Sequence, residues 1–332
     1  MKKRESFAAP LTLKGMIFLS ESLSLFLSNM QSAATQVAIL YIIVLVGFIC
    51  AKTGLYTQET AKKTTDLLFY IVTVAVIVKS FSEMTFSKDS AKSFVIALIC
   101  NFLTLFISIF VSWVIFRKKD EFQPIYRFAA IYGNAAYMGI PLTYAILGAE
   151  GVFYASTGVI AFNVLVFIHG VKIMTKENYA LSFKKVILNP GVLGTILGLP
   201  LFLLGLKLPE IVQTPLEYIA DINTPLAMII FGTYLASTDL KSIFKEKRIF
   251  ITAFQRLIFV PLLILGLYRL IGIQGALLTS LCITSATPSA NNTIMFAAKY
   301  DRDTGAASKL VATVSFISII TLPVIIALSQ SV

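Results

Sequence analysis

Long apolar stretches alternate with short polar connectors along nearly the whole chain. A bilayer core about 30 Å thick requires roughly 20 apolar residues per helix, and ten stretches of this kind follow one another. They lie near residues 33–51, 64–82, 92–116, 125–148, 151–175, 188–206, 213–236, 249–270, 273–298 and 306–329. Because such stretches are far longer than the strands of a membrane barrel, the pattern predicts ten transmembrane helices.

The fourth and ninth spans are interrupted by residues that weaken helices. Span four contains GNAAYMGIPL (133–142) and span nine contains TSATPSANNTIM (284–295), and neither segment carries a charge. Irregular backbone inside a bilayer is tolerated only where protein or water satisfies its freed N–H and C=O groups. We therefore predict two broken helices that cross near the middle of the membrane with their interruptions in contact. Their half-helix ends would offer a site for an anion or a small cation.

The two interruptions occupy corresponding positions in two halves of the chain. Each interrupted span runs into a short acidic connector, GAEG (148–151) or YDRDTG (300–305), and an Ala-Ser pair follows. An odd number of spans per half inserts the second half upside down. The predicted fold is an all-α integral membrane protein with a peripheral segment at 1–32 and two inverted five-helix repeats at 33–175 and 176–330.

Composition supports the membrane assignment, because 57% of the 332 residues are hydrophobic and only 14% are charged, too few to cover a soluble protein of this size. The net charge of +11 arises from basic residues scattered among the connectors, which does not indicate a nucleic-acid partner. Most of these residues follow odd-numbered spans. The positive-inside rule therefore places those connectors in the cytoplasm and both termini outside, in a multi-pass protein of the cell (inner) membrane.

The basic N-terminal tail opposes this orientation. It contains the short apolar stretch MIFLSESLSLFLS (16–28), and its basic residues are Lys2, Lys3, Arg4 and Lys14. Three interpretations stay open: an interfacial helix, a poor signal-like segment, or a start misassigned to Met1 instead of Met30. The connectors of the remaining chain are the stronger indicator of orientation.

Few side chains are available for catalysis or metal binding. His169 is the single histidine, and the cysteines Cys50, Cys100 and Cys282 all lie within predicted spans. These features speak against a His-based metal cluster, a His-driven triad and a disulfide framework. Nucleotide-binding, zinc-protease and serine-hydrolase motifs are missing from the sequence. We therefore expect neither an enzyme nor a bound cofactor, and a secondary transporter is favoured over a channel, a receptor or an intramembrane enzyme.

Four ionisable residues within the spans are functional candidates, because charge is costly inside a bilayer. Asp221 could bind a coupling ion or cap the turn that follows it. Arg256 could attract an organic anion or pair with Asp221, and the pair is favoured. His169 could relay protons, although its place near the end of span five favours an interface role. Lys79 is expected to extend toward the membrane surface.

The interruptions supply the candidate substrate site, to which span seven adds DINTPLAMIIFG (221–232). An asparagine side chain offers two donors and an acceptor. Since the two main interruptions lack Lys and Arg, we expect neutral amides and backbone N–H groups to bind the substrate. Asn163 is interpreted as an interhelical hydrogen-bonding residue instead. The predicted substrate-binding residues are Asn134, Tyr137, Gly139, Pro141, Thr224, Pro225, Pro288, Ser289, Asn291 and Asn292.

Four segments carry a family resemblance: GNAAYMGIPL (133–142), ATPSANNTIMFAAKY (286–300), TPLAMIIFGTYLA (224–236) and QVAILYIIVLVGFICAKTGLYTQET (36–60). Together they resemble the auxin efflux carrier family, also called AEC or PIN-like permeases, in its bacterial branch. The resemblance covers about 35–330. It implies a ten-helix fold similar to that of bile-acid symporters and sodium/proton antiporters, with an elevator-like crossover domain and a scaffold domain. It also implies transport of small organic anions such as auxin, malate or malonate.

The resemblance assigns roles to single residues. Asn134 matches the crossover asparagine of the family, and Pro141 and Pro288 match its crossover prolines. Two positions depart from the pattern: Thr293 stands where plant carriers have a second proline, and Ala75 stands where many relatives have a proline in span two. Proton or sodium coupling, a sodium/bile-acid-type symporter, a transporter-like receptor and a homodimer all stay open.

Overall fold

The computed structural model of the chain describes residues 13–175, 188–236 and 246–331. Within these ranges the chain forms helices and connectors, and one isolated antiparallel bridge is the only extended pairing. In chain order the helices are α1 (Leu13–Lys52), α2 (Gln58–Glu83), α3 (Lys88–Ile115), α4 (Gln123–Ile131), α5 (Ala135–Met174), α6 (Pro190–Leu203), α7 (Glu210–Asp221), α8 (Asn223–Ala236), α9 (Lys247–Leu270), α10 (Gly275–Ala286), α11 (Asn292–Lys299) and α12 (Thr304–Gln330). The predicted all-α class is confirmed.

Polar connector residues fix where several helices begin. Thr57, Ser87 and Asp303 each accept a hydrogen bond from a backbone N–H in the first turn of the helix that follows. Such caps satisfy donors that have no partner within the helix. The polar connectors therefore separate the apolar stretches and also determine the first residue of α2, α3 and α12.

Seven helical segments in the described ranges are long and apolar enough to cross a membrane. They are the 26–52 part of α1, the helices α2, α3, α5, α9 and α12, and α7 together with α8. Helices α6 and α10 are apolar but contain 14 and 12 residues. At 1.5 Å per residue each extends roughly 20 Å, which is too short to cross alone. These helices indicate a multi-pass membrane protein.

The 40-residue helix α5 changes direction at Gly148. A straight helix of this length would extend about 60 Å, twice the thickness of the bilayer core. Gly148 has φ 62° and ψ −150°, a combination that is essentially restricted to glycine. The bend lies at the start of the connector predicted at 148–151 and divides α5 into an N-terminal and a C-terminal segment.

Helix α3 turns polar side chains inward and apolar side chains outward. Asn101, Thr104, Ser108 and Ser112 follow helical spacing and are all buried. Its exposed face includes Phe106, Phe110 and Trp113. A surface helix of a soluble protein has the opposite arrangement. Helix α3 is therefore suited to face lipid on one side and a polar protein interior on the other.

The two largest of four clusters of buried apolar side chains in the described ranges join helices from both halves of the chain. The larger cluster packs α1 and α8 against α9, α10 and α12. The second joins α4 and α11 to parts of α5, α9 and α12. Within it, the rings of Phe128 on α4 and Phe296 on α11 meet edge to face, with 5.3 Å between their centres. Helices from the two halves of the chain thus share one core, which brings the interrupted regions together.

Helix α1 begins at Leu13 and continues without a break into the first predicted span. Asn29 on this helix donates a hydrogen bond to Ser331 Oγ at 3.1 Å, which ties α1 to the end of α12. Residues 1–12, with Lys2, Lys3 and Arg4, lie outside the described residues, as do 176–187 and 237–245. The peripheral segment at 1–32, the two repeats and the orientation of the termini stay predictions.

Candidate functional site

Two interrupted helices meet at the positions predicted from the sequence. Residues 132–134 separate α4 from α5, and residues 287–291 separate α10 from α11. An antiparallel bridge pairs Gly133 with Ser289. The hydroxyl of Ser289 also donates a hydrogen bond to the carbonyl of Ala129 on α4 at 2.9 Å. The predicted contact between the two interruptions is confirmed.

The two connecting segments pair through their backbones. The N–H of Asn134 donates to the carbonyl of Pro288 at 2.7 Å, and the N–H of Ala290 donates to the carbonyl of Tyr132 at 2.9 Å. These bonds satisfy groups that the interruptions free from the helices, as the interior of a bilayer requires. The crossing is therefore a hydrogen-bonded structure of its own, made from both halves of the chain.

Arg256 on α9 binds the C-terminal ends of both interrupted helices. It is 3% exposed. Its Nη1 donates to the carbonyl of Ile131, the last residue of α4, at 3.0 Å, and its Nε donates to the carbonyl of Thr287 at 2.8 Å. Its Nη2 donates to Thr287 Oγ1 at 3.2 Å and to the carbonyl of Thr284 at 3.4 Å. The guanidinium thus binds carbonyl groups that helix ends leave free.

The position of Arg256 corrects two expectations. The pair with Asp221 is absent from the described residues, because Asp221 bonds to Lys79 instead. The crossing also contains an arginine, although neither interruption carries one in sequence, since α9 packs between the two helix ends. The guanidinium finds its partners in backbone carbonyls, whose partial charges at a helix end replace a carboxylate.

Gly133 leaves room for this guanidinium. A Cβ atom at position 133 would overlap Arg256 Nη2 and would lie 2.6 Å from Thr287 Oγ1. A side chain of any size is therefore incompatible with the observed position of Arg256. Glycine is therefore needed at the first position of GNAAYMGIPL because Arg256, on a helix far away in sequence, fills the space that a side chain would occupy.

A cavity lies beside Asn134, at the N-terminal ends of α5 and α11. Asn134 is 4% exposed, and within the described part of the chain its side-chain amide makes no hydrogen bond. The rings of Phe69 and Tyr137 stack at the wall of this first cavity, with 5.2 Å between their centres. The lining residues are all uncharged: Phe69, Gly133, Asn134, Ala135, Ala136, Tyr137, Val159, Phe162, Asn163, Ala290 and Asn292.

A second, more polar cavity adjoins the first on the side of Arg256. The two share Gly133, Ala135 and Phe162 in their walls. Asn101 on α3 also lines this second cavity, where its Nδ2 donates to Thr157 Oγ1 at 2.9 Å. The rest of its lining comprises Thr104, Leu105, Gly158, Arg256, Thr284 and Ser285. Our sequence prediction missed Asn101, although the polar residues at helical spacing in span three could have indicated it.

The sequence profile of the family described as "Membrane transport protein" matches residues 32–326. The chain belongs to this family. This membership confirms the resemblance to the auxin efflux carriers, which was based on four short segments. The chain is a membrane transporter and not an enzyme.

Three proteins whose names describe them as transporters are similar to this family member along most of its length. An uncharacterized transporter of Methanocaldococcus jannaschii is 27% identical over 292 residues, which is 85% of the chain and 92% of that relative. An uncharacterized transporter of Methanothermobacter thermautotrophicus is 24% identical over 300 residues, which is 89% of the chain and 97% of that relative. A protein of Rhizobium meliloti named "Putative malonate transporter" is 21% identical over 297 residues, which is 84% of the chain and 91% of that relative.

Three of the predicted site residues of this transporter line the first cavity: Asn134, Tyr137 and Asn292. Pro288, Ser289 and the half-buried Asn291 belong to the crossing without lining either cavity, and Gly139 and Pro141 lie within α5, also outside both linings. Thr224 and Pro225 lie in the first turn of α8, outside both linings, and Pro225 is exposed. The structure therefore brings the predicted residues of spans four and nine together. Thr224 and Pro225 of span seven lie apart from them.

Asn163 makes one hydrogen bond within its own helix and one interhelical hydrogen bond of the kind predicted for it. Its Nδ2 donates to the carbonyl of Val159 at 2.7 Å and to Asn189 Oδ1 at 3.0 Å. Asn189 caps α6 and also accepts from the N–H of Gly191 at 3.0 Å. Asn163 thus links α5 to the start of α6, although it also lines the first cavity.

Lys79 and Asp221 form an ion pair away from both cavities. The Nζ of Lys79 lies 3.0 Å from Asp221 Oδ1, 3.3 Å from the hydroxyl of Tyr144 and 4.0 Å from Glu83 Oε1. The Lys79 side chain is 11% exposed, and its extension toward the membrane surface stays a prediction. The Asp221 side chain is 58% exposed, and its role in ion coupling stays a prediction.

His169 reaches the crossing through Tyr132. The Tyr132 hydroxyl donates to the carbonyl of Leu165 at 3.0 Å and lies 3.0 Å from Nδ1 of His169. A hydroxyl that donates to Leu165 is left to accept from a protonated Nδ1. His169 is therefore a hydrogen-bonded interface residue, as favoured from the sequence, and a proton relay stays a prediction.

The two departures from the family pattern have simple local structures. The N–H of Thr293 donates to the carbonyl of Ala290 at 2.9 Å, a bond that a proline could not make. Ala75 is buried within α2. The first turn of α11 is thus held by a backbone bond instead of a proline ring.

Proposed function

We propose that the chain is a secondary-active transporter of small organic anions, with malonate and malate as representative substrates. Transport would proceed by alternating access around the crossing. Asn134 carries this proposal, because its buried amide lacks a hydrogen-bond partner among the described residues and borders the first cavity. An amide N–H can donate directly to a carboxylate oxygen. The relative named "Putative malonate transporter" supports this class of substrate.

The helix ends around the first cavity favour a negative charge. The N-terminal ends of α5 and α11 both reach this cavity through Ala135, Ala136 and Asn292. Each helix N-terminus carries roughly half an elementary positive charge, so the two together match about one carboxylate. Because the lining is uncharged, these dipoles and the amides of Asn134 and Asn292 would recognise the substrate. A cationic substrate would meet unfavourable dipoles.

We also propose that the chain crosses the membrane ten times, as two inverted five-helix repeats. The described helices reach this count when α4 is joined to the N-terminal segment of α5, α7 is joined to α8, and α10 is joined to α11. The C-terminal segment of α5 beyond Gly148 then counts separately. The antiparallel bridge at Gly133 is consistent with inverted repeats. The basic connectors would face the cytoplasm and both termini would lie outside the inner membrane.

Uptake into liposomes tests the proposed function. Purified protein would be reconstituted, and labelled malonate and malate would be supplied with and without imposed proton and sodium gradients. Gradient-driven accumulation is the expected result. Saturable binding without uptake would indicate a transporter-like receptor instead. A protein that neither binds nor moves small carboxylates would contradict the proposed substrate class.

Substitution of Asn134 tests the site itself. Asn134→Leu removes the amide at similar size, and loss of a hydrogen bond to a charged group corresponds to about 1.5–3 kcal/mol, roughly ten- to a hundredfold in affinity. We expect unchanged thermal stability and lost malonate binding. Asn163→Leu is the matched control, since its amide already bonds to Val159 and Asn189. It should lower stability while affecting binding less.

A further inference from the structure

The C-terminal ends of α4 and α10 converge on one buried positive charge. Arg256 bonds to the carbonyls of Ile131, Thr284 and Thr287 and to the Thr287 hydroxyl. A helix C-terminus carries about half an elementary negative charge. The two ends together therefore carry roughly one negative charge, which a single guanidinium balances.

Backbone carbonyls at the ends of broken membrane helices commonly bind a small cation such as Na⁺. The carbonyls of Ile131, Thr284 and Thr287 are oxygen ligands of this kind. In this chain the Arg256 guanidinium donates hydrogen bonds to the same three carbonyl oxygens, with nitrogen–oxygen distances of 3.0, 3.4 and 2.8 Å. A sodium ion could reach them only by displacing a side chain that is 3% exposed.

We propose that Arg256 is a positioning residue that substitutes for a bound cation at the crossing, where its charge holds both half-helix ends in place beside the substrate cavity. This inference deepens the proposed function, because it assigns the residue that shapes the same site. Gly133 separates the guanidinium from the first cavity and belongs to both cavity walls. The negative helix ends are thus balanced before substrate arrives, and the positive ends of α5 and α11 stay available for an anion.

Sodium is the probe that tests this inference without transport. The melting temperature of the purified protein would be compared in sodium chloride and choline chloride at equal ionic strength. We expect the same value in both salts, because the carbonyls that a sodium ion would need are taken. A stabilisation that increases with sodium concentration would overturn the proposal. Failure of malonate uptake would contradict only the proposed function, since the melting measurement does not depend on it.

Two variants separate charge from shape. Arg256→Gln removes the charge, and it should reduce malonate uptake at least tenfold and create a sodium-dependent rise in melting temperature. Arg256→Lys keeps the charge, and it should retain part of the uptake and stay insensitive to sodium. Equal losses in both variants, with no sodium response in either, would contradict a role for the charge. If Arg256→Gln does not fold, Arg256→Lys and the unsubstituted protein still decide the question, since sodium-dependent stabilisation of either contradicts the proposal.

Arg248 provides a matched control on the same helix. It lies in the first turn of α9, where Nη1 donates to Asp120 Oδ1 at 3.0 Å, and it does not line either cavity. Arg248→Gln removes a positive charge of the same kind away from the crossing. It should leave uptake within about twofold and the sodium response unchanged. A sodium response equal to that of Arg256→Gln would show that general charge loss, and not the crossing, is responsible.

Discussion

Replacement of Gly133 by alanine tests the link between the crossing and Arg256 with one methyl group. A Cβ atom at this position would overlap Arg256 Nη2 and crowd Thr287 Oγ1. The guanidinium must then move away from its acceptors. The two bonds made by Nη2, at 3.2 and 3.4 Å, are the first to be lost.

The expected loss of stability follows from the number of hydrogen bonds that Arg256 loses. A buried hydrogen bond that involves a charged group contributes about 1.5–3 kcal/mol, so two bonds correspond to roughly 3 kcal/mol or more. Native proteins are stable by only about 5–15 kcal/mol. At an unfolding entropy of about 2.1 cal/mol/K per residue, each kcal/mol lowers the melting temperature of a 332-residue chain by roughly 1.4 °C. We therefore expect Gly133→Ala to melt about 4 °C or more below the unsubstituted protein.

Thermal unfolding in detergent, followed by a thiol-reactive or intrinsic fluorescence signal, provides the measurement. Gly266→Ala is the matched control, because Gly266 lies on α9 and a Cβ atom there meets no atom within 4 Å. That substitution should leave the melting temperature unchanged or raise it, since alanine favours helix by up to about 1 kcal/mol over glycine. Equal melting temperatures for the two variants would refute the close packing of Gly133 and Arg256.

A double variant refines the same prediction. Gly133→Ala and Arg256→Gln disturb one set of contacts, so their effects on the free energy of unfolding should not add. The double variant should be clearly more stable than the sum of the two single losses predicts. Strict additivity would mean that the two residues act independently, contrary to the observed overlap.

Further predictions concern the site, the topology and the peripheral ion pair. Asn292→Leu should weaken malonate binding more than Asn291→Leu, because only Asn292 lines the first cavity; equal effects in a binding titration would contradict this. Single cysteines introduced at Lys118 and Lys247 should react with an impermeant reagent only in inside-out vesicles, and labelling in intact cells would reverse the proposed orientation. Asp221→Asn should lower the free energy of unfolding by less than about 1 kcal/mol, since the carboxylate is more than half exposed, and a shift in the ion dependence of uptake would instead support a coupling role.

The interruptions could be predicted from sequence because they are local. Gly133 in one span and Pro288 in another weaken helices wherever they stand, and both spans break at these residues, whereas Gly139 and Pro141 lie within α5. Their contact followed from the need to satisfy freed backbone groups within a bilayer. The structure has that contact in the bridge between Gly133 and Ser289.

The partner of Arg256 could not be predicted in the same way. A search for opposite charges among side chains points to Asp221, the one carboxylate among the four ionisable candidates named from the sequence. The actual partners are carbonyls of Ile131, Thr284 and Thr287, and every residue type has a carbonyl. Their negative potential arises because two helices end at the same place, which becomes visible only in three dimensions.

Thr224 and Pro225 show that the sequence pattern can also predict site residues that lie outside the site. Their sequence resembles the other interruptions, yet helix α8 starts at Asn223, with only Ile222 between it and the end of α7. A proline in the first turn of a helix removes an N–H that would have no partner in any case. The residue types were therefore compatible with a simple helix start, and their distance from the cavities follows from packing against other elements.

The backbone bridge at the crossing also limits how this protein can move. The bonds from Asn134 to Pro288 and from Ala290 to Tyr132 join buried residues, so breaking them would leave backbone groups without partners. A motion that slides one broken helix past the other would have to break both bonds. We therefore expect α4, α11 and the adjoining ends of α5 and α10 to travel as a single rigid body, with Arg256 carrying α9 along. Any bending needed to alternate the exposure of the cavity would then fall outside this body, at flexible points such as Gly148.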